Sequence, residues 1–369
     1  MSVAHQYQTK HKVIRLDPNL EDLLPRVVAA YDEPFADPSA LPTFAVSEIA
    51  AKYVKVVLNG EGADELFGGY RRHMAVKYFS KMNHTLDILP SNWLRKASIL
   101  LPKPSVSRSP YGFLHRFIRG FGQSSMEQYL VWSSDGFNEK EKQAIWKKKV
   151  FRPATDLILQ KNLEYLGERG TVGNFMATDY ALGMGQCLLK KMDIATMSHS
   201  LEGRSPFLSK YMLEWAPKLP DIEKIKGLET KHILRSLAKS YSLDLVYKQP
   251  KRGFEVPLSR WVDNDLKENI YDRLKSSNSY SQNFVSQKLI KNLLDNPKIY
   301  SIEKRAKILW SLYSLEVWHN NYTNITNSKI KISNTYKNLK NLDNTKKTNI
   351  LFLTTGLGLG GAERVVFDI

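Results

Sequence analysis

Val54-Lys55-Val56-Val57-Leu58-Asn59-Gly60-Glu61-Gly62-Ala63-Asp64-Glu65-Leu66-Phe67-Gly68-Gly69-Tyr70 is the stretch whose reading decides the fold. An apolar, β-branched run ends in alternating glycines and carboxylates, then turns into a helical pattern. It predicts a buried strand that opens through a tight loop into a helix. In open α/β sheets, ligands sit at such carboxyl ends of strands. Gly60 and Gly62 let backbone N–H groups approach a bound group closely, as anion sites require. The three acids beside them, Glu61, Asp64 and Glu65, can hold a metal or a cationic group. They can equally be acids that complement the dipole of a helix N-terminus.

Working outward, Lys12 to Leu16 reads as a strand, followed by a helix around residues 19–31. A loop with two prolines, Asp32 to Ser39, precedes a second helical pattern at 42–52 and then the strand at 54–58. Strand, helices and strand in that order imply a right-handed crossover and a parallel sheet. Beyond residue 66 the pattern is helical to about 319. Leucine and aromatic positions recur at helical spacing in 111–132, 174–200, 207–216 and 301–318. Residues 320–349 carry six lysines and one acid and few large apolar residues, the composition of a flexible linker. Asn349 to Thr355 then reads as a fresh strand, Gly356 to Gly361 as a glycine loop, and Ala362 to Ile369 as the start of a helix. One such unit cannot bury its own apolar face.

Composition narrows the function. A chain of 369 residues that is 42% hydrophobic can bury a large core in one or two domains. No apolar run is long enough to span a bilayer, and no secretory signal pattern opens the chain. The lone Cys187 excludes an intrachain disulfide and a zinc cluster, and it fits a reducing cytoplasm. The net charge of +17 raises nucleic-acid binding, but the basic residues are dispersed or sit in the linker, so no specific nucleic acid is expected. His199, His232 and the other histidines are too scattered for a metal site. Asp193 reads as an acid on the helix surface or one that supports a site residue from behind, and Cys187 as a buried small hydrophobe.

Two further segments match the loop at 59–65. One runs from Leu188 to Leu208 and includes Lys190-Lys191-Met192-Asp193 and Glu202-Gly203-Arg204-Ser205-Pro206-Phe207-Leu208. The other is Tyr247-Lys248-Gln249-Pro250-Lys251-Arg252-Gly253-Phe254-Glu255-Val256-Pro257. Together with Leu309-Trp310 and the residues to Trp318, they come in the order and approximate spacing of the synthetase domain of glutamine-dependent asparagine synthetases. The chain resembles that family from about residue 10 to about 319. The resemblance implies an α/β fold, with an incomplete parallel sheet of the adenine-nucleotide α-hydrolase type followed by a mostly helical C-terminal region. It implies an ATP- and Mg2+-dependent ligase acting in two steps. The aspartate carboxylate attacks the α-phosphorus of ATP, giving an aspartyl adenylate and pyrophosphate. Ammonia then takes the activated acyl group.

Residue by residue, the resemblance assigns Glu61 to the adenylate or the incoming ammonia. It assigns Lys251 to charge neutralisation in the transition state, and Asn59, Gly60 and Gly62 to the nucleotide. Asp64 and Glu65 fall near magnesium pyrophosphate. Glu202 and Arg204, two residues apart, would enter one cleft only from an extended segment.

Three departures qualify the match. The chain opens Met1-Ser2-Val3 without the glutaminase domain that would supply ammonia from glutamine. It contains no Ser-Gly-Gly, so the family's Ser-Gly-Gly-x-Asp-Ser pyrophosphatase loop is absent from it. An acidic pair common in the family reads Gln186-Cys187. The expectation is therefore an inactive piece of a synthetase, one that neither hydrolyses glutamine nor activates aspartate unaided. Residues 349–369 resemble the opening βα unit of GT-B-type glycosyltransferases, where Gly-Leu-Gly-Gly-Ala-Glu-Arg follows the first strand. This raises two alternatives, a paralogue amidating a sugar carboxylate in surface-polysaccharide synthesis and a degenerate non-enzymatic remnant.

Overall fold

The computed structural model describes residues 2–13, 18–86, 100–102, 109–133, 146–147, 171–243, 256–327, 349–355 and 362–368, together with Pro90, Trp93, Lys96 and Pro104. Helix α1 (Leu20–Tyr31) starts where Asn19 accepts the Glu21 N–H, and two acids in its first turn complement its dipole. It stops at Asp32, whose left-handed backbone (φ 50°) turns the chain out of the helix. Its buried residues (Leu20, Leu23, Leu24, Val27, Val28 and Tyr31) recur at helical spacing on one face. Helix α2 (Ala40–Ala50) follows, then strand β1 (Val56–Leu58), as the pattern predicts.

The strand differs from its expectation in two ways. It is not buried: Val56 and Leu58 are 42% and 73% exposed. Its parallel partner is β2 (Glu202–Arg204), in the register Val56↔Glu202, Val57↔Gly203, Leu58↔Arg204. With one hydrogen-bonded neighbour among the described residues, an apolar strand has an open edge and open faces. The expected strand from Lys12 to Leu16 lies largely outside the described residues, and Lys12 and Val13 are in no strand. The parallel pairing seen among the described residues is with a segment some 146 residues downstream.

The rest is mostly helical. A one-turn helix α3 (Ala63–Leu66) and a long helix α4 (Arg71–Leu86) follow the loop, and then α5 (Pro110–Ile118) and α6 (Ser125–Ser133). Helix α7 (Val172–Asp179) runs through wider π-helical turns (Tyr180–Leu189) into α8 (Lys190–Met197). The short hairpin of β3 (Ile225–Lys226) and β4 (Glu229–Thr230) leads into α9 (His232–Ser240). Helices α10 (Lys267–Lys275), α11 (Gln287–Asp295) and α12 (Ile302–Asn327) complete the bundle.

Helix α12 carries eight residues beyond the expected start of the linker at 320. The Asn321 side chain donates to the Pro25 carbonyl inside α1, so the two ends of the family-like region are stitched together. The main core joins Leu24 and Val28 of α1 and Phe44 of α2 to Ile194 of α8 and to Ile270, Ile290, Leu309 and Trp310 of the last helices. At the C-terminus the expected helix from Ala362 is a strand instead. β5 (Asn349–Thr355) and β6 (Ala362–Asp368) pair antiparallel. Val365-Val366-Phe367 is a β-branched and aromatic run, which favours a strand over a helix. No helix among the described residues is long and apolar enough to cross a membrane.

Candidate functional site

The loop leaving β1 is fixed by its own backbone and by the segment after β2. Asn59 donates its N–H to the Arg204 carbonyl at 2.8 Å, and Glu202 donates to the Lys55 carbonyl at 2.9 Å. The Asn59 side-chain oxygen accepts both the Glu61 N–H (3.1 Å) and the Ser205 hydroxyl (2.6 Å). This Asx turn holds half-buried Glu61 at the loop apex. Two sequence motifs more than 140 residues apart therefore meet at the carboxyl end of the parallel pair.

Gly62 adopts φ +92°, and a Cβ there would lie 2.4 Å from Leu208 Cδ2, so this turn needs glycine. Gly60 has open space around it, which leaves room for close approach from outside.

The other two acids of the loop turn to protein partners. Lys231, at the left-handed start of α9 (φ 54°), brings its ammonium to 3.0 Å from Asp64 Oδ1, an ion pair by distance without hydrogen-bond alignment. Glu65 is 3% exposed and accepts the Tyr70 hydroxyl. Burial pushes its carboxyl above the usual carboxylate range, against the lowering effect of that hydrogen bond. The Tyr70 phenol is in turn raised by burial and by the Glu65 charge beside it.

This donor set does not suit an Mg2+ pair. One carboxylate faces an ammonium, and the other sits in the interior where its neutral form is favoured. Among the described residues no three His, Cys, Asp or Glu side chains gather to hold a metal ion. Asp64 and Glu65, the residues the resemblance sets near magnesium pyrophosphate, meet Lys231 and Tyr70 in this arrangement.

Behind Tyr70 runs a buried polar chain. Arg72 stacks over the Tyr70 ring at 3.9 Å, and its Nε donates to both oxygens of Asp179, at 2.9 and 2.7 Å. His73 (2.6 Å) and the Tyr129 hydroxyl (2.6 Å) also bond Asp179. Burial alone would raise the Asp179 carboxyl, but the His73 bond and the Arg72 charge outweigh it and hold it below the usual range.

A second polar cluster is centred on Asp37, and its Cys187 lies within electrostatic reach of Glu61. Asp37 Oδ1 accepts the Ser39 N–H (2.9 Å) and hydroxyl (2.7 Å). Lys191 is 5% exposed, donates to Ser39 Oγ at 3.0 Å and lies 3.6 Å from Asp37 Oδ2. Tyr31 donates its hydroxyl to the Lys191 carbonyl at 3.0 Å. The Cys187 thiol, half-buried instead of buried, faces Asp37 Oδ2 at 3.8 Å. Burial above all, with Asp37 and then Glu61 adding their charges, pushes that thiol up to about 11, so it stays protonated and unreactive at neutral pH.

Of the expected site residues, the structure brings Asn59, Gly60, Glu61, Gly62, Asp64 and Glu65 together in one loop. Lys251 lies outside the described residues. Glu202 and Arg204 do lie on an extended segment, but they pair with each other at 2.7 Å in an exposed position. Asp193 is exposed on α8, as expected. Sequence reasoning missed Lys231, Lys191, Asp37 and Asp179. For Lys191 a signal existed, because a lysine within Leu188-Leu189-Lys190-Lys191-Met192 falls on an otherwise apolar helix face. Lys231 gave none, being one of 54 basic residues.

Comparison with known proteins bears on this arrangement. Residues 1–320 match the asparagine synthase family. The glutamine-hydrolyzing asparagine synthetase 1 of Bacillus subtilis is 30% identical over 303 residues, which cover 80% of this chain and 45% of that protein. A Mycobacterium tuberculosis protein named "Putative asparagine synthetase" is 31% identical over 303 residues, 80% of this chain and 44% of that one. A more distant relative, Amidase chry2 of Gibberella zeae, is 22% identical over 283 residues, 71% of this chain and 41% of its own length. The chain spans about 45% of the length of the first of these relatives.

Proposed function

Because the chain belongs to the asparagine synthase family, we propose that it carries the acyl-activating part of an ATP-dependent, amide-forming ligase of the asparagine synthetase kind. The substrate carboxylate, with aspartate as the first candidate, displaces pyrophosphate from the α-phosphorus of ATP. Ammonia then forms the C–N bond as the C–O bond to AMP breaks. Glu61 stands at the loop apex with its backbone locked, placed to orient ammonia and to take the proton that nitrogen loses. Lys231 and Lys191 bring ammonium groups to the loop and its neighbour, where both steps concentrate negative charge. Lys251 is assigned to the same charge by its motif.

The observation that carries this reading is the meeting of two motifs, Asn59–Glu65 and Glu202–Ser205, through the β1–β2 register and the Asn59–Ser205 hydrogen bond. Aspartate-driven ATP–pyrophosphate exchange tests it. The chain alone is expected to show none, since no Ser-Gly-Gly-x-Asp-Ser cradle occurs in its 369 residues. A fusion that supplies such a segment ahead of Met1 should restore exchange, and Glu61→Gln in that fusion should reduce amide formation about a hundredfold or more. Full amide formation by the Glu61→Gln fusion, or exchange driven by other carboxylates but not aspartate, would overturn the assignment.

A further inference from the structure

Helix α3 (Ala63–Leu66) begins two residues after Glu61 and is a single turn, in which Leu66 donates to the Gly62 carbonyl at 3.0 Å. A helix this short has too few internal bonds to hold itself. Its position, and with it the chain on the C-terminal side of Glu61, is set by what its side chains meet. Two of them reach outward. Asp64 meets Lys231, and Glu65 accepts the Tyr70 hydroxyl. The first pair keeps some contact with water, its side chains being 17% and 23% exposed, so solvent and salt weaken it. The second is closed off, with Glu65 only 3% exposed. In such an interior a hydrogen bond is stronger than at the surface. The bond from Tyr70 to Glu65 is the firmer hold.

Tyr70 is itself held. Arg72 lies over its ring at 3.9 Å, and the His73 ring meets it edge-on at 5.4 Å between centroids. Arg72 and His73 both bond Asp179 on α7, which also accepts the Tyr129 hydroxyl from α6. Three helices, α4, α6 and α7, thus converge on one buried carboxylate, and the phenol beside that cluster ends on the loop 59–65. An interior polar network of this kind does not maximise stability, because apolar side chains of similar volume often serve as well or better. What a fully bonded network supplies is one defined geometry.

We propose that Tyr70 is a positioning residue for the amide-forming step: through Glu65 it fixes α3, and so the place from which Glu61 meets ammonia. The role of Glu61 toward ammonia rests on the ligase reading above. The mechanical link from Tyr70 to the loop does not.

The test has two arms. The first follows amide hydrogen exchange of residues 59–66 by mass spectrometry in the 369-residue chain and needs no activity. Tyr70→Phe removes one hydroxyl and should speed hydrogen exchange in that segment about tenfold, with α12 unchanged. Glu65→Gln, whose amide oxygen still accepts from the phenol, should keep the protection of the parent, whereas Glu65→Leu should lose it as Tyr70→Phe does. The second arm uses the fusion. There Tyr70→Phe should lower kcat for ammonia-dependent amide formation about tenfold or more, while ATP–pyrophosphate exchange stays within about twofold. Unchanged hydrogen exchange at 59–66 in Tyr70→Phe, an equal rise in α12, or Glu65→Gln behaving as Glu65→Leu would each overturn the proposal. So would an equal loss of both chemical steps. A fusion inactive in every form would sink the ligase reading instead, and the first arm would still decide the link. Should Tyr70→Phe not fold, the comparison of Glu65→Gln with Glu65→Leu decides it.

Discussion

Glu65 and Asp179 are buried carboxylates with opposite balances, and each yields a prediction. For Glu65, burial outweighs one phenol hydrogen bond, so its proton is held more tightly in the folded chain than in the unfolded one. A raised folded pKa contributes stability that is complete below the unfolded value and is lost as pH rises through the folded value. At neutral pH the charged form is therefore a burden. Glu65→Gln, whose amide oxygen can still accept from Tyr70, should be more stable than the parent by about 1 kcal/mol at pH 7. The two should converge near pH 4, as read by urea denaturation at both pH values. Asp179 behaves in the reverse sense, since the Arg72 and His73 interactions overcome burial and lower its pKa. Its contribution is present above the unfolded carboxylate range and disappears as pH falls through the lowered value. Asp179→Asn removes a charge from beneath Arg72 and should cost about 3–5 kcal/mol at neutral pH. Equal stability of variant and parent would show that Arg72 finds compensation elsewhere.

At the level of elements, the strand–loop–helix at 54–70 was legible because its signals are local: a β-branched run, two glycines and acids at a helix start. Helices α1, α2 and α12 were legible through the same kind of periodicity. What the sequence could not convey was non-local. Nothing in Val56-Val57-Leu58 says that its partner is Glu202–Arg204, or that its apolar side chains stay exposed for want of further strands among the described residues. The partners of Asp64 and Glu65 depend on where α9 and Tyr70 come to rest, which a run of acids at a helix start does not announce. At the C-terminus a glycine-rich run after a strand fits a βα turn and an antiparallel strand pair alike, and β5 and β6 take the latter. The two loop glycines, which look equivalent in sequence, separate sharply in structure. Gly62→Ala puts a methyl group against Leu208 at a left-handed φ and should cost about 1–3 kcal/mol. Gly60→Ala meets nothing and should stay within about 0.5 kcal/mol. Chemical denaturation of the pair checks this, and equal costs would mean the loop is not held as described. If Gly60 lies against nucleotide, its alanine variant should lose exchange activity in the fusion while keeping its stability.

For the whole molecule, the arrangement of the cores locates the working unit. The largest core draws α1 and α2 from the first fifty residues together with α10, α11 and α12 from the last part of the family match, so the segment between them is enclosed by contacts of long sequence separation. Among the described residues, the hydrophobic clusters hold nothing beyond Trp318. The family match ends at residue 320, and α12 continues only to Asn327. The helix end is not dispensable, because Asn321 donates to Pro25 at 3.1 Å and Trp318 stacks on Tyr322 at 5.6 Å. A cut at 319 would sever both contacts, whereas a cut after Asn327 keeps them. Truncation to residues 1–327 should therefore shift the thermal midpoint by less than about 2 °C, while truncation to 1–319 should lower it by several degrees. Differential scanning calorimetry of the two truncations and the full chain distinguishes the cases. A large loss for 1–327 would place residues 328–369 within the cooperative unit, and the hairpin of β5 and β6 would then have to be treated as part of the ligase-like body.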